Sequence, residues 1–435
     1  MTHAFAHRLG AIDPVARTGR VTRIFPTYLE ADGPSLPLGA LCDVETESGP
    51  VTAMVARVDT DAIALVPFED CPGTRAGARI VARIEDSQVM VGDAFLGRAV
   101  DALGRPIDGG PSILADQRGR LKGAEQPLLG RLSPRKRLET GIRAVDALLT
   151  IGQGQRIGLF AAAGVGKTSL MTQLARQVDA DRCVICLVGE RGREVETLWN
   201  DGLSDEARPK TVLVAATSDQ SAPMRARACD YALALADHWR AEGLHVVLLL
   251  DSVTRLAMAL REIGLAAGEP PTVRAYTPGV FATIPKLVER CGALKGGGAI
   301  TALITVLAES DEVDDPIAEM MKSLLDGHII LSRTLAEQGH FPAIDVPRSI
   351  SRLAARLQTA PERETAQAAI ALLSAYDQSR ILIESGVYSE GSNPALDTAI
   401  AKRPELNRFL RQRTDERISH AEAALALAAL VGGRS

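Results

Sequence analysis

The eight residues Ala161-Ala-Ala-Gly-Val-Gly-Lys-Thr168 constrain this chain more than any other stretch. They follow an apolar, strand-like run, Arg156–Phe160, and open a helix-like run, Thr168–Val178. Small residues at such a junction let successive backbone N–H groups converge on one anion, and the helix behind them adds the positive end of its dipole. The pattern [AG]-x-x-x-x-G-K-[ST] is that of a loop for nucleotide phosphates. The expected phosphate-binding residues are Ala162, Ala163, Gly164, Val165, Gly166, Lys167, Thr168 and Ser169. Lys167 is placed to reach the β- and γ-phosphates, and the Thr168 hydroxyl to hold Mg2+. Ala161 and Ala162 disfavour positive φ, which leaves Gly164 and Gly166 to supply it.

A loop of this kind needs a parallel sheet behind it, and the surrounding pattern predicts one. Apolar runs at Arg156–Phe160, Val184–Val188, Thr211–Ala216, Val246–Asp251, Ile300–Leu307 and Ile329–Leu331 alternate with helix-like stretches such as Pro223–Glu242. Strand–helix alternation with doubly apolar strands predicts an α/β P-loop NTPase core, a parallel sheet flanked by helices. Two carboxylates belong to it. Val246-Val-Leu-Leu-Leu runs directly into Asp251, the second half of a Mg2+-nucleotide site, usually acting through water. Glu190, in Gly189-Glu-Arg191, falls just past a strand end, where open α/β sheets place ligands and a carboxylate can activate water. Helix capping by Asp251 and a solvated charge cluster around Glu190 are the alternatives that spacing leaves open.

With 435 residues, about three domains are expected. Residues 1–18 read as an N-terminal segment. Residues 19–93 read as a β-barrel of short strands (Gly19–Ile24, Val51–Val55, Ala62–Val66) broken by Gly33-Pro34, Gly49-Pro50 and Pro72-Gly73. Residues 94–350 form the nucleotide-binding domain, with a Gly/Pro-rich linker near 103–111, and 351–435 a helical domain. Cys183 and Cys186 lie three apart on one strand, hence on opposite faces, and read as core residues. Lys plus Arg total 49 against 54 acids, and aromatics are 3 %, which argues against a nucleic-acid-binding surface built on base stacking. The absence of a long apolar run or an N-terminal h-region predicts a cytoplasmic chain.

The set Ala161–Thr168, Gly189-Glu-Arg191 and Leu250-Asp-Ser252 resembles the catalytic subunits of the rotary ATPases, the superfamily of ATP synthase β subunits and of flagellar and type III secretion export ATPases. Ala216-Thr-Ser-Asp-Gln-Ser221 with Met224-Arg225 resembles the export branch, as does Leu325–Arg333 running through Gly339–Asp345. The resemblance spans about Gly19 to Arg413. It implies Glu190 as the water-activating glutamate, Arg191 lining the same pocket, Asp251 at the metal and Phe341 packed on adenine. It also implies Arg352 as an arginine finger entering a neighbouring subunit, hence a homohexamer hydrolysing Mg-ATP to energise protein export.

The implied partners are a stator-like regulator, a central stalk protein, the export gate, chaperones and exported proteins, at the inner membrane surface. No nucleic acid is expected. The rivals are a catalytic subunit of an ion-translocating ATP synthase and an RNA-stimulated hexameric translocase. Two loops are expected at a ring pore, Arg274–Phe281 and the acidic Ala308–Pro316 with Glu319 beyond. In the first, Ala275, Thr277 and Gly279 stand where Gly, Pro and Ser are usual. Ahead of the barrel, Pro14 would end any regulator-binding helix. The basic stretch Lys402–Arg417 reads as a solvated helix face.

Overall fold

A computed structural model describes residues 16–83, 88–124, 128–307 and 315–432. The first six strands are β1 (Thr18–Ile24), β2 (Leu29–Ala31), β3 (Leu41–Thr46), β4 (Gly49–Val58), β5 (Ile63–Pro67) and β6 (Arg79–Ala82). They close a barrel in the order β1-β2-β5-β4-β3-β6. Closure removes every free edge from these short strands. Its interior is filled by Val21, Leu29, Val44, Val55, Leu65 and Ile80. Gly19 is required at the seam, because a Cβ there would stand 2.0 Å from the carbonyl carbon of Gly33.

The next strand, β7 (Gln88–Val91), lies within the span expected for the barrel but pairs outside it, with β9 (Gln117–Arg120). Between them β8 (Ala99–Val100) joins the edge of the central sheet beside Leu213 and Val214. The Gly/Pro-rich stretch near 103–111 therefore leads away from a strand of the sheet. Asp101, Asp108 and Arg98 organise its start: Arg98 donates a two-pronged bond to Asp108, whose carboxyl is held well below the ordinary carboxylate range mainly by that guanidinium.

The remaining strands are β10 (Arg131–Leu132), β11 (Arg156–Ala161), β12 (Arg182–Glu190), β13 (Thr211–Thr217), β14 (His245–Asp251), β15 (Gly292–Leu294), β16 (Ala299–Leu307), β17 (Gly327–Ile330) and β18 (Ile350–Ser351). The sheet runs β18-β17-β11-β16-β14-β12-β13-β8, and its pairs from β17 to β8 are parallel. Every residue of β14 is buried, as a strand covered on both faces requires.

One face packs on helices Ala222–Ala241, Val253–Ala266 and Pro278–Arg290. The other packs on helix Lys167–Gln177 and on the C-terminal helices Ala360–Glu384, Pro394–Leu410 and His420–Val431. Cys183 and Cys186 fall one in each of these cores, both reduced and buried, as their spacing implied.

The export-type motif at Ala216–Ser221 serves this architecture. Ser221 caps helix Ala222–Ala241 through the Met224 N–H (3.4 Å), and its hydroxyl donates to the Phe68 carbonyl at the base of the barrel (2.7 Å). Arg225 crosses to Glu262 on the next helix (2.6 Å). Of the acidic loop expected at a pore, residues 308–314 lie outside the described residues. Asp315 is a helix cap, accepting from Ile317 N–H (2.7 Å), and Glu319 pairs with Lys322. In the other loop, Arg274 and Ala275 hold φ of 52° and 60°. This is the left-handed region that a β-carbon disfavours, and a glycine at 275 would occupy it without strain.

One polar cluster helps to dock the C-terminal helices, beside their apolar packing. Arg137 donates to the Leu357 carbonyl (2.6 Å) and forks onto Glu362, which also meets His420 (3.1 Å). Burial opposes the Glu362 charge, but Arg137, the Thr359 cap and His420 more than offset it and bring the carboxyl down to about 2. A depressed carboxyl stabilises the fold above its unfolded value, near 4.5, and loses that contribution as pH falls toward 2. Glu362→Gln is therefore expected to cost on the order of 2–3 kcal/mol at neutral pH. Melting curves of variant and wild type should converge as pH falls below about 4.5. A constant offset across that window would show that the charge does not hold the docking.

Candidate active site

The four strands that matter end at one edge of the sheet. Phe160 on β11 is level with Val306 on β16, Leu250 on β14 with Ile304, and Leu187 on β12 with Asp251. The chain passes from β11 to β12 across the intervening β16 and β14, a switch in strand order of the kind that opens a crevice at the carboxyl ends. The loop 162–166 stands over it. Gly164 and Gly166 have φ of 81° and 90°, the two positions expected to carry positive φ. Val165 is buried and pins the loop to the core. Ala163, Gly164, Thr168 and Ser169 are exposed around the rim, and Ala162 and Gly166 half-buried.

Lys167 opens the helix, and its ammonium sits between two carboxylates. Nζ donates to Asp251 Oδ1 (2.6 Å) and Glu190 Oε1 (3.1 Å). Burial would lower its pKa, but Asp251 and Glu190 together raise it above the ordinary lysine value. Glu190 is the last residue of β12, where the register with β13 slips, and is 7 % exposed. Burial first, and then the neighbouring Asp251 charge, push its carboxyl up against the opposing pull of Lys167. A carboxyl raised this way is a better proton acceptor near neutral pH than a solvated one.

Asp251 does not cap the following helix. Ser252 does, through the Arg255 N–H (3.3 Å), which leaves Asp251 free to face Lys167. Thr168, Glu190, Glu194 and Asp251 line one narrow crevice. These are hard oxygen donors, and such donors fit Mg2+, which takes few protein oxygens and fills its shell with phosphate and water. Arg191 is exposed, one residue past Glu190 at the start of helix Gly192–Thr197, and is not among the residues lining the crevice.

On the far side of the loop, Phe341 is 43 % exposed, and a Cβ on Gly166 would meet its ring at 3.2 Å. The ring borders a cleft of about 500 Å³ shared with Gly166, Ser169, Gln173 and the segment Arg411–Glu416. Arg352 lies elsewhere. Its backbone N–H donates to Asp326 O (3.0 Å), and Asp326 N–H to Arg156 O (2.9 Å), at the start of β11. The phosphate loop follows the other end of β11, five residues on and roughly 17 Å away. The exposed Arg352 side chain, bonded to the Lys322 carbonyl (3.2 Å), cannot reach its own loop.

Three contributors were missed by sequence reasoning. Thr305, wholly buried on β16, donates its hydroxyl to Asp251 Oδ1 (2.6 Å). Ala299–Leu307 carries two hydroxyls, Thr301 and Thr305, and the one nearer its carboxyl end, level with Asp251, was the available signal. Gln412 belongs to the helical domain, yet its N–H donates to the Phe341 carbonyl (2.9 Å). No local pattern could have linked residues so far apart. Arg255 lays its stem over Gly189, whose Cβ would meet it at 3.1 Å, so the helix after β14 backs the turn that carries Glu190.

Thr305→Val keeps the volume and removes the bond to Asp251. A buried hydrogen bond to a charged group is worth about 1.5–3 kcal/mol, so turnover at limiting Mg2+ should fall roughly ten- to hundredfold. An unaltered Mg2+ titration of the ATPase rate would show that Asp251 needs no such support.

Comparison with known proteins places the chain in a family. Residues 141–351 match the ATP synthase alpha/beta family nucleotide-binding domain, and residues 358–429 the T3SS EscN ATPase C-terminal domain. The chain is 43 % identical to the flagellum-specific ATP synthase of Salmonella typhimurium, over 97 % of this chain and 95 % of that protein. It is 41 % identical to the type 3 secretion system ATPase of Xanthomonas euvesicatoria, over 92 % and 91 %. Among solved structures, the assembled ATPase EscN of the enteropathogenic E. coli type III secretion system superposes with a TM-score of 0.90 at 38 % identity, covering 95 % of this chain and all of that one. EscN in complex with its central stalk EscO gives a TM-score of 0.87. These likenesses support the export reading over its two rivals. The chain belongs to the family of flagellum-specific ATP synthases and type 3 secretion system ATPases, P-loop ATPases built on the ATP synthase alpha/beta nucleotide-binding domain.

Proposed function

We propose that this chain hydrolyses Mg-ATP in a homohexameric ring and that the ring energises protein export through a flagellar or type III apparatus, held at the inner face of the membrane. The observation that carries the ring is the position of Arg352, exposed and a strand's length from its own phosphate loop. A copy placed head to tail would bring that arginine to the next subunit's nucleotide, as heterologous, closing contacts do.

In this reading the backbone of 162–166 and the helix N-terminus hold the phosphates, and Lys167 leaves its two carboxylates to meet them. Phe341 packs on the adenine, with Arg411–Glu416 closing the cleft. Thr168 and Asp251 would hold Mg2+, which supplies charge neutralisation at the phosphates. Glu190 orients the attacking water and takes its proton. Arg191, exposed next to Glu190 and outside the crevice lining, would act on the nucleotide only as a nearby positive charge. Arg352 of the neighbour stabilises charge developing on the transferred phosphoryl group.

By analogy with the EscN–EscO complex, a central stalk protein is the proposed partner of the pore. A stator-like regulator, chaperones and exported proteins complete the set. No helix among the described residues is long and apolar enough to cross a membrane, so membrane placement would be peripheral.

The test is ATPase rate per subunit against protein concentration, with sedimentation in parallel. The rate should climb from near zero to a plateau as rings form. A full rate in dilute monomer would overturn the shared site.

A further inference from the structure

The end of the sheet opposite the nucleotide holds a buried amide that the reaction scheme leaves without a task. Gln155 precedes β11 and is 0 % exposed. Its Oε1 accepts from the Gly152 N–H (2.9 Å). Its Nε2 donates twice, to the Asp326 carbonyl (3.2 Å) and to Ser351 Oγ (3.0 Å). The Asp326 carbonyl is the same atom that accepts the Arg352 N–H (3.0 Å), and Ser351 is the residue before Arg352. Ser351 in turn donates to the Thr150 carbonyl (2.9 Å).

One side chain thus bonds the Asp326 backbone and, through the Ser351 hydroxyl, the segment that carries Arg352. The fit is close. Gly327, paired with Ser351, could carry no Cβ, which would stand 2.4 Å from the Ile350 carbonyl. Asp326 is held independently by Arg156, whose Nε and Nη2 donate to its carboxylate at 3.0 and 3.1 Å. A buried amide is costly wherever its bonds are incomplete, so a two-donor, one-acceptor set aimed at these atoms restricts them to one arrangement.

We propose that Gln155 is a positioning residue for Arg352. It fixes the backbone from which the arginine projects, and so sets the geometry of the neighbouring subunit's site without touching its own nucleotide. This rests on the reading of Arg352 as a finger acting between subunits. Misplacing a reacting group by about 1 Å can cost as much as a hundredfold in rate, which sets the scale of the effect.

The test is a double-mutant cycle on the full-length, ring-forming chain. Steady-state kcat and KM for ATP are measured for wild type, Gln155→Met, Arg352→Ala and the double variant, with binding of a fluorescent ATP analogue alongside. Gln155→Met should lower kcat roughly ten- to hundredfold with KM and nucleotide binding unchanged. In the Arg352→Ala background it should cost nothing further, because a residue acting only through another is silent once that one is gone. An equal loss in both backgrounds, or a loss seated in KM, overturns the positioning role while leaving the finger intact. An Arg352→Ala variant with wild-type kcat overturns the finger and the positioning role with it. Should Gln155→Met fail to fold, Ser351→Ala takes its place in the cycle. A smaller loss that vanishes in the Arg352→Ala background supports the proposal, and one that persists there overturns it.

Discussion

Replacing Glu190 by Gln is expected to give a chain that binds ATP normally and hydrolyses it about 10²–10⁴-fold more slowly. The amide keeps the volume and can still accept from Lys167, which the carboxylate meets at 3.1 Å, so the crevice should stay assembled. What is lost is the ability to take a proton from water. The wild-type profile offers an independent check. Burial and the Asp251 charge raise the Glu190 carboxyl, so the basic form is depleted at a higher pH than for a solvated glutamate. The acid limb of the rate should therefore lie above the usual glutamate range, and it should be missing from the residual activity of Glu190→Gln. A variant that turned over at the wild-type rate would remove Glu190 from the proton-transfer role.

Arg352→Ala is expected to lower kcat by about 10³–10⁵-fold, the range for removing an arginine finger. The prediction is unusual in what should stay constant. Arg352 is exposed and its side chain bonds the Lys322 carbonyl among the described residues, so melting behaviour should hardly move. ATP binding should also survive, because the loop 162–166, Lys167 and Phe341 all lie at the other end of β11. The variant should form rings and fail in them. If it lost nucleotide binding together with turnover, Arg352 would serve ground-state binding and not act as a finger confined to the transition state.

The two substitutions act on opposite ends of one sheet, and that contrast explains what was legible beforehand. The phosphate loop could be read directly because its chemistry is local: a strand, a turn needing positive φ at Gly164 and Gly166, and a helix, all within contiguous residues. Asp251 could be placed at the end of an apolar strand after the loop, but spacing left helix capping open, a role that Ser252 fills in the structure. The barrel was foreshadowed by short, regularly punctuated strands. The pairing of Gln88–Val91 with Gln117–Arg120 was not, since strand partners are chosen by distance in space.

The sequence by itself thus determined the strand–loop–helix junction at Ala161–Thr168, the α/β class with its barrel and helical flanks, and the core role of Cys183 and Cys186. Each depends on residues whose spacing along the chain dictates their geometry. Only the tertiary structure decided that Lys167 bridges Glu190 and Asp251 and that Thr305 braces Asp251 from the adjacent strand. It alone brought Arg411–Glu416 from the far domain to the Phe341 cleft. It also set Arg352 beyond reach of its own nucleotide. These relations join segments tens to hundreds of residues apart. They are created by parallel strand register and by the burial that brings the strands and helices together, neither of which leaves a local trace in the order of the amino acids.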